Sequence, residues 1–186
     1  TNSTPYNART QQLAYWRFAA FGSVILAAQY DNVLQYTTNI ASTDFADVSG
    51  GPKAYTMAVQ RGFVILGNIK DGSYAGAQNW ICSAQDDYTD WTPDIATGSA
   101  TGTLNATPGA IIRLIAFRDY VIAFKERAFH RGQAVSRAAN SWEWPVVSTK
   151  IGLVGHDAVC EVDGVLYWLS EAGFYRWAGG AVDRMA

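Results

Sequence analysis

Charge is scarce in this chain. Asp, Glu, Lys and Arg make up only 16% of its 186 residues, against roughly 25% in an ordinary globular domain. A net charge of −2 excludes the overall basicity that nucleic-acid domains carry. The two cysteines, Cys82 and Cys160, sit far apart in apolar, strand-like contexts. They supply neither a disulfide framework nor a metal cluster, and read as buried, reduced, small hydrophobes. The two histidines, His130 and His156, lie in different repeats without a carboxylate or thiol at metal-ligand spacing. Gly-x-Ser-x-Gly, His-Glu-x-x-His and phosphate-loop patterns are missing, and no apolar run approaches the ~18 residues of a spanning helix. The reading therefore contains no catalytic residue, no cofactor, no metal and no membrane span.

What the chain does have is repetition. Four times a short strand meets a two-residue turn and a second, more apolar strand: Phe18–Ala27, Ala58–Gly67, Ile115–Phe124 and Cys160–Leu169. Aligned on the turn, Gly22, Gly62, Asp119 and Gly164 coincide. Strands recurring every ~40–50 residues are the signature of a propeller array. The expected fold is all-β: a β-propeller of four-stranded antiparallel blades, about four in number and part of a larger propeller. Residues 1–12 form a polar N-terminal arm and 13–186 the blades, at about 13–50, 51–96, 110–149 and 150–186. Third strands are expected at Val33–Thr37, Asn79–Ser83, Ala128–Arg131 and Gly173–Trp177, where β-branched and aromatic residues run between Gly, Asp and Asn.

The third-to-fourth strand connection also repeats, ending on an acidic residue and an aromatic: Asp44-Phe45, Asp90-Trp91 and Glu143-Trp144. The carboxylate suits a turn cap and the aromatic an anchor on a neighbouring blade. The fourth repeat has no such segment before Ala186, which predicts an incomplete last blade. With Thr1 as first residue, the chain reads as a piece of a longer array. Residues 68–78 and the Gly/Thr/Ser-rich stretch 97–109 read as surface insertions.

Two groups of charged residues compete for a functional role. Asp86, Asp87, Asp90 and Asp94 are the densest carboxylates. They lack the spacing of a calcium loop, and Asp in turns is the simpler reading. Residues 113–150 hold seven basic side chains against three acidic in an otherwise acidic chain. Arg113, Arg118, Lys125, Arg127, Arg131 and Arg137 interleave there with Phe117, Tyr120, Phe124 and Phe129. Two roles fit them: non-specific contact with DNA phosphates, or ion pairing across blades or subunits, where Arg is the favoured cation.

From Trp80 to Ala186 the chain resembles the propeller proteins of bacteriophage tails: tail nozzles, tail tubular proteins and packaged-DNA stabilisation proteins. The residues concerned are Trp80-x-x-Ser83-Ala-x-Asp86-Asp87-x-x-Asp90-Trp91, Phe117–Arg127 with Phe129-His-Arg131, Ile151-Gly152 and Val165–Gly179. Where such proteins often place a Cys after Ile-Gly, this chain has Leu153. The resemblance implies a non-enzymatic virion component made in the bacterial host cytoplasm. It implies a ring of copies, with other tail or portal proteins as partners, that forms or seals the DNA exit channel. Other classes are a carbohydrate- or ligand-binding propeller with aromatics at a blade rim and, behind it, a glycoside hydrolase.

Overall fold

The computed structural model describes residues 15–39, 41, 44–137 and 140–185; the expected arm at 1–12 lies outside them. Strands and turns make up the described chain, in four antiparallel meanders. The first sheet holds β1 (Arg17–Phe21), β2 (Val24–Gln29), β3 (Asn32–Thr37) and β4 (Ala46–Asp47). The second holds β5 (Ala54–Gln60), β6 (Phe63–Ile69), β7 (Gly76–Cys82) and β8 (Ala100–Thr103). The third comprises β9 (Arg113–Phe117), β10 (Tyr120–Phe124), β11 (Phe129–Arg137), β12 (Asn140–Glu143) and β13 (Val146–Ser148). The fourth has β14 (Val159–Val162), β15 (Val165–Ser170), β16 (Gly173–Trp177) and β17 (Val182–Arg184).

Each sheet starts with a hairpin whose turn residues explain the repeat. The closing pairs are Phe21↔Val24, Gln60↔Phe63, Phe117↔Tyr120 and Val162↔Val165. The first turn position is therefore Gly22, Arg61, Arg118 or Asp163, with φ of 58°, 50°, 53° and 50°. A positive φ at this position belongs to the primed turns, whose twist matches that of the strands they join. Gly22 thus aligns with Arg61 rather than Gly62, one residue away from the register expected on glycine alone.

Alternation along the second strand of each hairpin sorts side chains between two neighbours, because successive residues face opposite sides of a sheet. In β6, Val64 and Leu66 pack toward the first sheet while Phe63 and Ile65 pack toward the third. In β10, Val121 and Ala123 face the second sheet and Ile122 and Phe124 the fourth. The core is consequently three layers, one between each consecutive pair of sheets. Trp91 lies in the first layer and Trp144 packs on Trp80 and Trp142 at the second, whereas Phe45 contacts Phe18 of its own sheet. Within the third layer, Phe129 sits 5.1 Å from Phe124, 5.5 Å from Trp168 and 5.7 Å from Trp177 between ring centroids.

Three details depart from the sequence reading. The fourth strand of the second sheet, β8, lies inside the stretch expected to be an insertion, beyond residue 96. The last sheet is four-stranded: β17 pairs with β16 without any Asp-aromatic segment before it. The outer edge of the third sheet is split, β12 and β13 pairing with different parts of β11. Pro145 stands between them, and its missing N–H cannot continue a ladder.

Truncating Phe129 to Ala is expected to cost about 3–5 kcal/mol, the range for a buried aromatic. Phe174→Ala, on a side chain 60% exposed, should change stability by less than about 0.5 kcal/mol. Urea unfolding of the two variants against wild type measures the contrast.

Candidate functional site

The six basic residues singled out by sequence are dispersed by the fold. Arg118 stacks on Phe117 and donates from Nη2 to Gly164 O at 2.9 Å, tying the third sheet to the turn of the fourth. Its own carbonyl accepts from Gln60 Nε2 of the second sheet. Arg127 pairs with Glu171 of the fourth sheet at 3.3 Å, both side chains being well exposed. Arg131 lies over the Tyr120 ring, 4.6 Å from its centroid. Arg137 falls in β11, with its side chain outside the described set. Arg61 and Asp119 add a further bridge between the second and third sheets. The interblade ion pairing open to these arginines is realised at Arg127, while Arg118 crosses to the next blade through a backbone carbonyl.

Lys125 must be removed from the set of surface contacts. Its side chain is fully buried, and Nζ donates to the carbonyls of Leu104 and Thr107. Burial lowers its pKa to about 8. The neighbouring Thr107 hydroxyl meets His130 Nε2 at 2.8 Å, and His130 is itself buried. A buried ammonium is tolerated only with hydrogen-bond acceptors at hand, and this one pins the link between the second and third sheets. It cannot reach a phosphate.

The Asp cluster resolves into turns. Asp87 accepts from the N–H of Thr89 at 2.8 Å, Asp90 from Thr92 at 2.9 Å and Asp94 from Ala96 at 2.9 Å. Each carboxylate caps the backbone two residues on, the habit of Asp in loops. Cys82 is buried, and burial drives its thiol up to about 12. Cys160 is exposed instead of buried, because it alternates onto the outward face of the fourth sheet opposite Tyr167.

A different polar cluster emerges where the first strands of the sheets begin. Arg17 opens β1, Tyr55 is the second residue of β5, Arg113 opens β9, and His156 and Asp157 lie just before β14. Arg17 Nη1 reaches Asp157 Oδ1 at 3.3 Å. His156 Nδ1 donates to the same oxygen at 2.8 Å; Arg113 Nη1 lies 2.9 Å from both ring nitrogens, and the neutral imidazole leaves Nε2 as the one that accepts. The Tyr55 ring stands edge-on to the imidazole, 5.7 Å between centroids. His156 is buried; burial and the two guanidinium charges outweigh the Asp157 bond and lower its pKa to about 4. It is therefore neutral at pH 7. Of these residues only Arg113 stood out in the sequence. Arg17, Tyr55 and the adjacent His156-Asp157 pair lie in three different repeats, and the one available signal is their common place at a strand start.

The outward face of the fourth sheet is mixed: apolar side chains flank the exposed Arg176–Asp183 ion pair, which lies in register with Tyr167. Phe174 lies opposite Leu169 and Val162 opposite Val165, with Cys160 and Tyr167 alongside. Phe174 is 60% exposed, Val162 51% and Met185 43%, and no described strand covers them.

No family model matches the chain, and no curated protein matches it. Among solved structures it is similar to BamB from Moraxella catarrhalis, with a TM-score of 0.50 and 11% sequence identity. The match covers 96% of this chain and 48% of that one, so the chain spans about half the length of the protein it resembles. That protein is a β-propeller. The fold of this chain is a β-propeller, and its four sheets are blades. The polar cluster lies at the head of the blades' inner strands.

Because folded His156 resists protonation until about pH 4 while an unfolded histidine takes a proton near 6.5, stability should fall as pH drops through that window. The loss is up to about 3 kcal/mol, with no contribution above the upper limit. His156→Gln should flatten the decline in urea midpoint between pH 6.5 and 4. Some slope will persist, since burial lowers the pKa of His130 as well.

Proposed function

We propose that this propeller is a non-enzymatic structural component of a bacteriophage virion tail. In this reading it is a nozzle or hub part below the portal that assembles as a ring with copies of itself and forms or seals the DNA exit channel. It would be made in the host cytoplasm and reside in the tail, against portal or other tail proteins. The observation that carries the reading is the outward face of the fourth blade, where Val162, Phe174 and Met185 are exposed on either side of the Arg176–Asp183 pair. Exposed apolar side chains on a blade face suit packing against a further blade or against a neighbouring copy. The resemblance of residues 80–186 to phage tail propellers supplies the context, and the low charge fits a surface largely buried against neighbours.

A rim of aromatics for carbohydrate is less well supported. All seven tryptophans are buried or half-buried in the blades, and no indole is exposed for a sugar to stack on. The DNA role rests on the exposed arginines, Arg127 foremost.

Sedimentation velocity tests the assembly. Wild type should form a concentration-dependent closed oligomer, and Phe174→Asp with Val162→Asp should return it to monomer. A wild type that stays monomeric at high concentration, with the double variant indistinguishable, would overturn the reading. DNA contact predicts salt-sensitive binding that weakens when Arg127 and Arg131 become Ala; equal binding by both proteins rejects it.

A further inference from the structure

The polar cluster at the inner-strand starts has more cation than it can use. Two guanidiniums, Arg17 and Arg113, share one carboxylate, Asp157, whose side chain is 71% exposed. His156 contributes no charge at neutral pH. Arg17 bears on Arg113 directly, since its charge, after burial, helps lower the Arg113 pKa. Like charges held together in a partly desolvated place repel, and here the nearest counter-charge faces solvent.

Hydrogen bonding shows the same surplus. A guanidinium has five N–H donors and no acceptor. Arg17 spends Nη1 on Asp157 and Arg113 spends Nη1 on His156. The Nε of each is buried and has no partner among the described residues. A buried unpaired donor is destabilising, more so when charged, and here there are two, from different blades, in one cluster. The blades also hold the cluster stiffly: Leu114 N donates to Thr56 Oγ1 at 2.9 Å, joining β9 to β5 directly behind Arg113 and Tyr55.

We propose that this cluster is a binding site for a small oxyanion, a phosphate or carboxylate group, held between Arg17 and Arg113 beside the Tyr55–His156 pair. The planar fork of arginine matches both groups in geometry and charge. His156, neutral with its Nδ1–H committed to Asp157, acts as a spacer that orients Arg113. The site does not depend on the virion reading: an anion can bind whether or not the protein forms a ring.

The test is isothermal titration of the folded chain with inorganic phosphate and, separately, with acetate, against chloride at matched ionic strength. Saturable binding of phosphate, acetate or both, above the chloride control, is expected; the preferred anion tells a phosphate site from a carboxylate site. Arg113→Gln and Arg17→Gln should each weaken it about tenfold or more, the loss of one charge-assisted partner. Arg61→Gln, an exposed cation outside the cluster, should leave it unchanged. Arg17→Lys keeps the charge without the fork and should bind with intermediate affinity, which preserves the test if a Gln variant fails to fold. No saturable effect of either anion, or an equal loss in Arg61→Gln, overturns the proposal.

Discussion

Everything in this molecule depends on sheets packing face to face through apolar side chains. Each inner sheet is buried on both faces, so β6 and β10 are almost wholly apolar and still obey the two-residue alternation of a strand. Val64 and Leu66 go one way, Phe63 and Ile65 the other. Large rings fill the wedge between blades: Trp80, Trp142 and Trp144 at one interface, Phe124, Phe129, Trp168 and Trp177 at the next. Aromatic pairs at such distances add to the burial of their area. The scarcity of charge follows from this arrangement, since most positions that would be surface in a single sheet are interface here.

The polar groups fill what the rings leave. Lys125, His130 and Thr107 brace the link between the second and third blades from inside. On the outside, Arg61–Asp119, Arg118–Gly164 and Arg127–Glu171 stitch neighbouring blades together. Exposed pairs of this kind contribute little stability, about 0–1 kcal/mol each, so they align blades more than they hold them. Arg17, Arg113, His156 and Asp157 differ because they meet in one place, at the strand starts, with donors left over.

Much of the blade plan was legible in the chain. The two-residue turns and the apolar second strands appear directly, because turn geometry and alternation act between residues close in sequence. Gly22 misled the register by one position: Arg61, Arg118 and Asp163 adopt the left-handed conformation that glycine would be expected to hold. The outer strands were harder to see. β8 and β17 are short, and strand pairing rather than composition makes them strands. Lys125 looked like one more surface cation and is buried, and Cys160 looked buried and is exposed. Both outcomes depend on which side of a strand a neighbouring sheet covers.

The sequence by itself determined a repeated all-β array, its hairpins and the clustering of basic residues in the third repeat, since these are local properties of spacing and composition. Only the tertiary structure decided which basic residues remain available. It also brought the starts of the inner strands together, so that Arg17, Tyr55, Arg113 and His156, each from a different repeat, form one site. Residues so far apart in the chain share no local pattern, and their meeting follows from the packing of one blade on the next.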